Sequence, residues 1–131
     1  MEYSIRPASS SDEKYILDSF SRAYCKSPYA EGIPRLSLAC RMAEMLHNGW
    51  SCDVADLEGE VLGYVVYKRD INAVAWVCVK GPVQGKGIGE YLLRGACDRE
   101  QPVKQPWLYA KNVAFAPVGY TFQWRPYLTW L

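Results

Sequence analysis

Val77-Cys78-Val79-Lys80-Gly81-Pro82-Val83-Gln84-Gly85-Lys86-Gly87-Ile88-Gly89 is the stretch on which the reading of this chain turns. An apolar run enters a glycine-rich turn, and the turn opens a helix. Ile88, Tyr91, Leu92, Gly95 and Ala96 fall at i, i+3, i+4, i+7 and i+8, which predicts one apolar helix face. Glycines let a backbone approach a bulky anion. The unpaired N–H groups of a helix's first turn point at such an anion, and the helix dipole favours its charge. Lys80 and Lys86 add positive charge nearby. The ligand suited to this device is a pyrophosphate.

Upstream, Tyr3 to Arg6 alternates and reads as a short strand that Pro7 ends. Ser10 with Glu13 predicts a capping box. Behind it Ile16, Leu17, Phe20, Ala23 and Tyr24 recur at helical spacing. Pro34 opens a second helix, with Leu38, Met42, Met45 and Leu46 as its stripe and Gly49 as its stop. Three apolar runs follow, about Trp50–Val54, Val61–Lys68 and Ala73–Val79, joined by turns at Glu58-Gly59-Glu60 and Arg69–Asn72. Turn-joined runs of this kind predict an antiparallel meander. Downstream, Trp107 to Ala110 and Tyr120 to Trp124 read as extended.

The chain has 131 residues and a net charge of +1, from 15 basic and 14 acidic residues. That length predicts one domain over 1–131. The near-neutral balance argues against a polyanion binder working by bulk charge. No apolar run approaches the roughly 18 residues of a membrane span, and the N-terminus lacks an export signal. The five cysteines, Cys25, Cys40, Cys52, Cys78 and Cys97, form no CxxC pair, and the one histidine is His47. These features predict free thiols in a reducing cytoplasm and no metal site. Residues 101–131 carry Lys104, Lys111 and Arg125, no acid, and many aromatics. Such a mixture can bind single-stranded nucleic acid, but aromatic strands closing a core are the commoner use.

Three pyrophosphate motifs compete for the glycine stretch. GxxxxGK[ST] fails, because Gly81 to Gly85 is one residue short and Gly87 stands where a hydroxyl is needed. GxGxxG fails for want of a parallel βαβ unit. The acyl-CoA pattern (Gln/Arg)-x-x-Gly-x-(Gly/Ala) is met in full by Gln84-Gly85-Lys86-Gly87-Ile88-Gly89. With that hexapeptide, the order of elements before it and Leu92-Leu93 after it, the chain resembles the GNAT superfamily of acyl-CoA-dependent N-acyltransferases. In style, its small size is similar to the short members met in phage and prophage genomes.

The resemblance implies an α/β (α+β) fold: a mixed, mostly antiparallel sheet flanked by helices, with the CoA loop between the fourth strand and the third helix. It implies acetyl-CoA or CoA as cofactor and no metal. The contacts it implies are Val77, Cys78 and Val79 for the pantetheine arm, Gln84 to Gly89 for the pyrophosphate, and Asn112 beyond the fifth strand. It places Tyr24, Ser27 and Tyr29 at the wall of the acceptor site. The reaction implied is N-acetyl transfer by direct attack of a small-molecule or protein amine. Oligomeric state stays open, a homodimer among the alternatives.

Two departures from the family pattern stand out. The tyrosine that protonates the leaving thiolate aligns with Phe115, leaving Tyr109 and Tyr120 as candidate acids. The strand before the loop, Ala73–Val79, holds no acid to serve as general base, leaving Asp53, Asp56 or Glu31 acting through water. A non-catalytic CoA-binding module is therefore the alternative reading. A third is a module that binds nucleic acid or protein through the aromatic C-terminal stretch.

Overall fold

In a computed structural model, the chain is described over residues 2–27, 30–106 and 119–125. The elements run β1 (Ser4–Pro7), α1 (Ser10–Tyr24), α2 (Arg35–His47), β2 (Ser51–Leu57), β3 (Glu60–Lys68), β4 (Ala73–Val79), α3 (Ile88–Ala96), β5 (Val103–Gln105) and β6 (Phe122–Trp124). The six strands form one sheet in the order β1-β2-β3-β4-β5-β6. β1 to β4 pair antiparallel, as the turn-joined runs predict, while β4–β5 and β5–β6 are parallel. The expected mixed sheet, with its glycine loop between the fourth strand and the third helix, is what the structure shows.

Alternation along the strands divides the core in two. Cys52, Val54, Tyr64, Val66 and Trp76 face α1 and α2. Ala55, Val65, Tyr67, Val74 and Val79 face α3. Burying Tyr64 requires a partner for its hydroxyl; it meets Ser19 Oγ at 2.7 Å and donates to Ile16 O at 3.2 Å, which fastens β3 to α1. Gly63 is required by a close approach, since a Cβ there would stand 2.6 Å from Cys78 O on β4.

Two local expectations need correction, and one strand is new. The capping box of α1 is built one residue earlier: Ser9 is the N-cap, and Asp12 accepts its backbone N–H at 2.8 Å and its hydroxyl at 3.1 Å. The buried face of α3 is Ile88, Gly89, Leu92, Leu93 and Ala96. Tyr91 is 54% exposed, with its ring edge-on to Tyr3 at 6.0 Å. β5 is the unforeseen Val103–Gln105, and Trp107 to Ala110 lie outside the described residues.

Arg6 joins β1 to two acids. It contacts Asp12 at 2.8 and 3.2 Å and Asp56 at 3.2 Å. Its guanidinium holds the Asp12 carboxyl down at about 2, from an ordinary value of 3.8. A carboxyl lowered on folding contributes stability that is complete above its unfolded pKa and lost as pH falls through its folded one. The pair is therefore expected to lose its contribution between about pH 4 and about pH 2. Arg6→Met should lower stability at neutral pH and flatten the acid limb of stability in urea titrations. An unchanged acid limb would show the pair to be neutral.

Candidate functional site

β4 delivers the chain to the glycine loop. Lys80 leads into a single 3-10 turn, Gly81–Val83, and Gln84 then returns to extended backbone. Gly87 is the N-cap of α3 at φ +82°, a left-handed conformation that side chains with a Cβ disfavour. The first helical hydrogen bond of α3 is Tyr91 N–H to Gly87 O at 3.0 Å. The N–H groups of Ile88, Gly89 and Glu90 precede it and have no intrahelical acceptor. An added Cβ at Gly85 or Gly87 would meet nothing within 4 Å, so the loop's outer side is open.

A hollow of about 160 Å³ lies there, lined by Val79, Gln84, Gly85, Gly87, Ile88, Gly89 and Glu90. That is roughly the volume of five water molecules, room for one or two phosphoryl groups and not for a nucleotide. A helix N-terminus with free N–H groups, a glycine backbone and a small adjoining hollow suit a diphosphate.

The side chains around the loop behave differently from expectation. Gln84 does not reach outward; its Nε2 donates to Val79 O at 2.9 Å and ties the loop to the end of β4. Lys80 turns to the α1 side, 3.6 Å from Glu60 and 5.2 Å from the centre of the Tyr15 ring. Lys86 is exposed on the loop. Glu90 brings a negative charge to the hollow, and Arg94 pairs with it at 3.5 Å.

Next to the loop, β4 pairs with β3 from Ala73 to Val79, and among the described residues its rung to β5 is Ala73↔Lys104. Residues 107–118, which follow β5, lie outside the described residues. Cys78 is half-buried on β4, and burial raises its pKa, so it is a thiol rather than a thiolate.

The candidate bases are elsewhere. Asp53 accepts the Tyr67 hydroxyl at 3.0 Å, and Asp56 is held by Arg6. Both lie on β2, two strand widths from β4 and on its far side from β5. Two strand widths are roughly 10 Å, beyond the reach of a base acting through one water. Glu31 is exposed in the loop between α1 and α2.

Tyr120, the candidate acid within the described residues, stacks on Phe122 at 6.3 Å. It precedes Thr121, whose carbonyl accepts Val103 N–H at the start of β5. It stands beside α3, within the electrostatic reach of Glu90, Arg94 and Cys97. Burial raises its pKa, so the hydroxyl keeps its proton. Tyr24 is 5% exposed and packs in the core against Phe20 and Trp76, and Ser27 is 3% exposed. Neither offers open surface to an acceptor. Tyr29, Tyr109, Asn112 and Phe115 lie outside the described residues.

Among the described residues no three His, Cys, Asp or Glu side chains converge as a metal site would require. No helix there is long and apolar enough to cross a membrane.

No known family model matches the sequence, and no curated protein matches it. Solved structures match it in fold. One is a histone acetyltransferase HPA2 and related acetyltransferase from Corynebacterium glutamicum ATCC 13032, 21% identical, over 72% of this chain and 70% of that one, with a TM-score of 0.59. A possible acetyltransferase from Clostridium difficile 630 is 16% identical over 95% of this chain and 78% of its own, with a TM-score of 0.58. The PaiA N-acetyltransferase from Thermoplasma acidophilum, in complex with coenzyme A, is 17% identical over 72% and 69%, with a TM-score of 0.50. Likeness at such identities is likeness of fold, and the fold of this chain is that of the GNAT acetyltransferases.

Proposed function

We propose that the chain, as one domain over 1–131, is an acyl-CoA-dependent N-acyltransferase that moves an acetyl group from acetyl-CoA to an amine by direct attack. The observation that carries this reading is the glycine loop that leads from the end of β4 into the N-terminus of α3, with Gly87 left-handed as its N-cap. The coenzyme A complex of the Thermoplasma acidophilum protein supports it by likeness of fold. Bound there, the cofactor supplies an activated thioester.

The backbone N–H groups of Ile88, Gly89 and Glu90 would hold the pyrophosphate, with Gln84 fixing the loop that presents them. The backbone of Val77, Cys78 and Val79 would hold the pantetheine arm, and an N–H there would stabilise charge developing on a carbonyl oxygen. The acceptor is read as a small-molecule or protein amine, and the compartment as the cytoplasm. The absence of any acid on β4, with Asp53 and Asp56 both engaged on β2, favours one other reading: a module that binds CoA without turning it over.

Thiol release from acetyl-CoA over a panel of amines separates the two. Turnover with at least one amine is expected. CoA binding without turnover on any amine would establish the module; absence of CoA binding would end both readings. Tyr120→Phe should keep kcat within about a factor of ten of the parent, below the usual 10²–10⁴-fold contribution of a general acid. A thousandfold fall with CoA affinity unchanged would name Tyr120 as the donor.

A further inference from the structure

The cations nearest in sequence to the glycine loop are Lys80, Lys86 and Arg94. Two of them already face an acid. Lys80 lies 3.6 Å from Glu60, and Arg94 lies 3.5 Å from Glu90. Lys86, exposed on the loop, has no ion-pair partner among the described residues. The hollow beside the loop thus has one unpaired cation at hand, and its own lining includes a carboxylate, that of Glu90.

Glu90 owes its place to the helix. It is the third residue of α3, in the first turn after the N-cap Gly87. An acid there complements the helix dipole, and Asp12 holds the same place on α1. Asp12 turns back and accepts Ser9 N–H at 2.8 Å. Glu90 runs the other way, toward Arg94, a turn farther on. Gly87 supplies no side-chain cap, so the positive end of α3 stays open while a negative charge stands in the wall of the hollow. A bound diphosphate and the Glu90 side chain draw on the same helix charge, and they repel each other. The backbone N–H of Glu90 suits the phosphates; its side chain opposes them.

Arg94 and Glu90 share one flank of α3, and both act on Tyr120 beside that helix. Their side chains are 63% and 42% exposed, so the pair is loosely held. Arg94 offsets part of the Glu90 charge, and it stands roughly 6 Å farther along the helix from the loop.

On the reading of the loop as a CoA site, we propose that Glu90 limits the affinity of that site for the diphosphate, and that Arg94 moderates this through Glu90. Glu90 touches no reacting atom; it sets how readily the cofactor leaves. The consequence is a cofactor that exchanges, and not one that stays as a permanent part of the fold.

Calorimetry with CoA at low and high salt is the test. Glu90→Gln keeps the length and shape of the side chain and removes its charge. It is expected to tighten CoA binding at least about fivefold at low salt. That gain should shrink below about twofold near 1 M salt, where exposed charges are screened. The Tm without ligand should not rise, since a carboxylate at that position stabilises the helix; a general gain in order would raise both. Arg94→Met should weaken CoA binding at least about threefold in the parent and less than about 1.5-fold in the Glu90→Gln background. Unchanged or weaker CoA binding by Glu90→Gln would overturn the proposal, as would a gain that persists in high salt. An equal Arg94→Met loss in both backgrounds would place Arg94 on the ligand itself and overturn its action through Glu90. Absence of CoA binding by the parent and every variant would end the CoA reading itself, and this proposal with it.

Discussion

Gly87→Asp is expected to lower CoA affinity at least a hundredfold while leaving the protein folded. Gly87 sits at φ +82° with nothing within 4 Å of an added Cβ, so the new side chain clashes with nothing. Its cost to the fold is the left-handed backbone alone, about 1–2 kcal/mol, within the 5–15 kcal/mol or so of a typical domain. Its cost to binding is larger. A carboxylate about 4 Å from a pyrophosphate charge, at the dielectric of a protein surface, is opposed by about 4 kcal/mol. A hundredfold loss needs only about 2.8 kcal/mol. Gly87→Ala separates strain from charge, because it keeps the first and omits the second, and should cost less than tenfold. Calorimetry on the folded variants checks both. Unchanged affinity in Gly87→Asp would remove the loop from CoA binding.

Phe20→Ala should be the most damaging truncation of the core. Phe20 is wholly buried. Its ring stands edge-on to Trp76 at 5.1 Å and stacks on Tyr24 at 5.6 Å, while Tyr24 meets Trp76 at 5.8 Å. Three rings thereby lock α1 onto β4, the strand that feeds the glycine loop. Deleting one leaves a cavity its rigid neighbours cannot fill, at about 3–5 kcal/mol. For a chain of this length that is a fall in Tm on the order of 10–20 °C. Leu36→Ala, at a side chain 75% exposed, should stay within about 0.5 kcal/mol. A Phe20→Ala loss as small as the Leu36→Ala loss would show that the rings do not bear on each other.

Where periodicity is strong, the residues announce their elements. The apolar run of Val61 to Lys68 and the stripe of Leu38, Met42 and Met45 read correctly, because a strand buried on both faces is apolar throughout and a helix buried on one face leaves a pattern of fixed period. Errors arise where neighbours are chemically alike. Ser9 and Ser10 are both good caps, and Asp12 and Glu13 are both good partners, so the box could be built in either register. Along α3, Tyr91 and Leu93 both look apolar. Only packing shows that Leu93 goes in and Tyr91 stays out.

β5 was illegible for a different reason. Val103-Lys104-Gln105 has one apolar residue in three, and its strand character comes from neighbours distant in sequence. The site divides the same way. The backbone device of Gly85, Gly87 and α3 is local and legible. The inward turn of Gln84 and the diversion of Lys80 toward Tyr15 are products of tertiary packing that no spacing rule encodes.

Gly63 indexes the glycine loop to a single missing atom. A Cβ at that position would stand 2.6 Å from Cys78 O, on the strand that hands the chain to the loop. Any larger residue must part β3 from β4 or shift the end of β4, and the loop rides on that end. A substitution buried in the sheet is thereby transmitted to the surface at which the loop opens, without touching a loop residue.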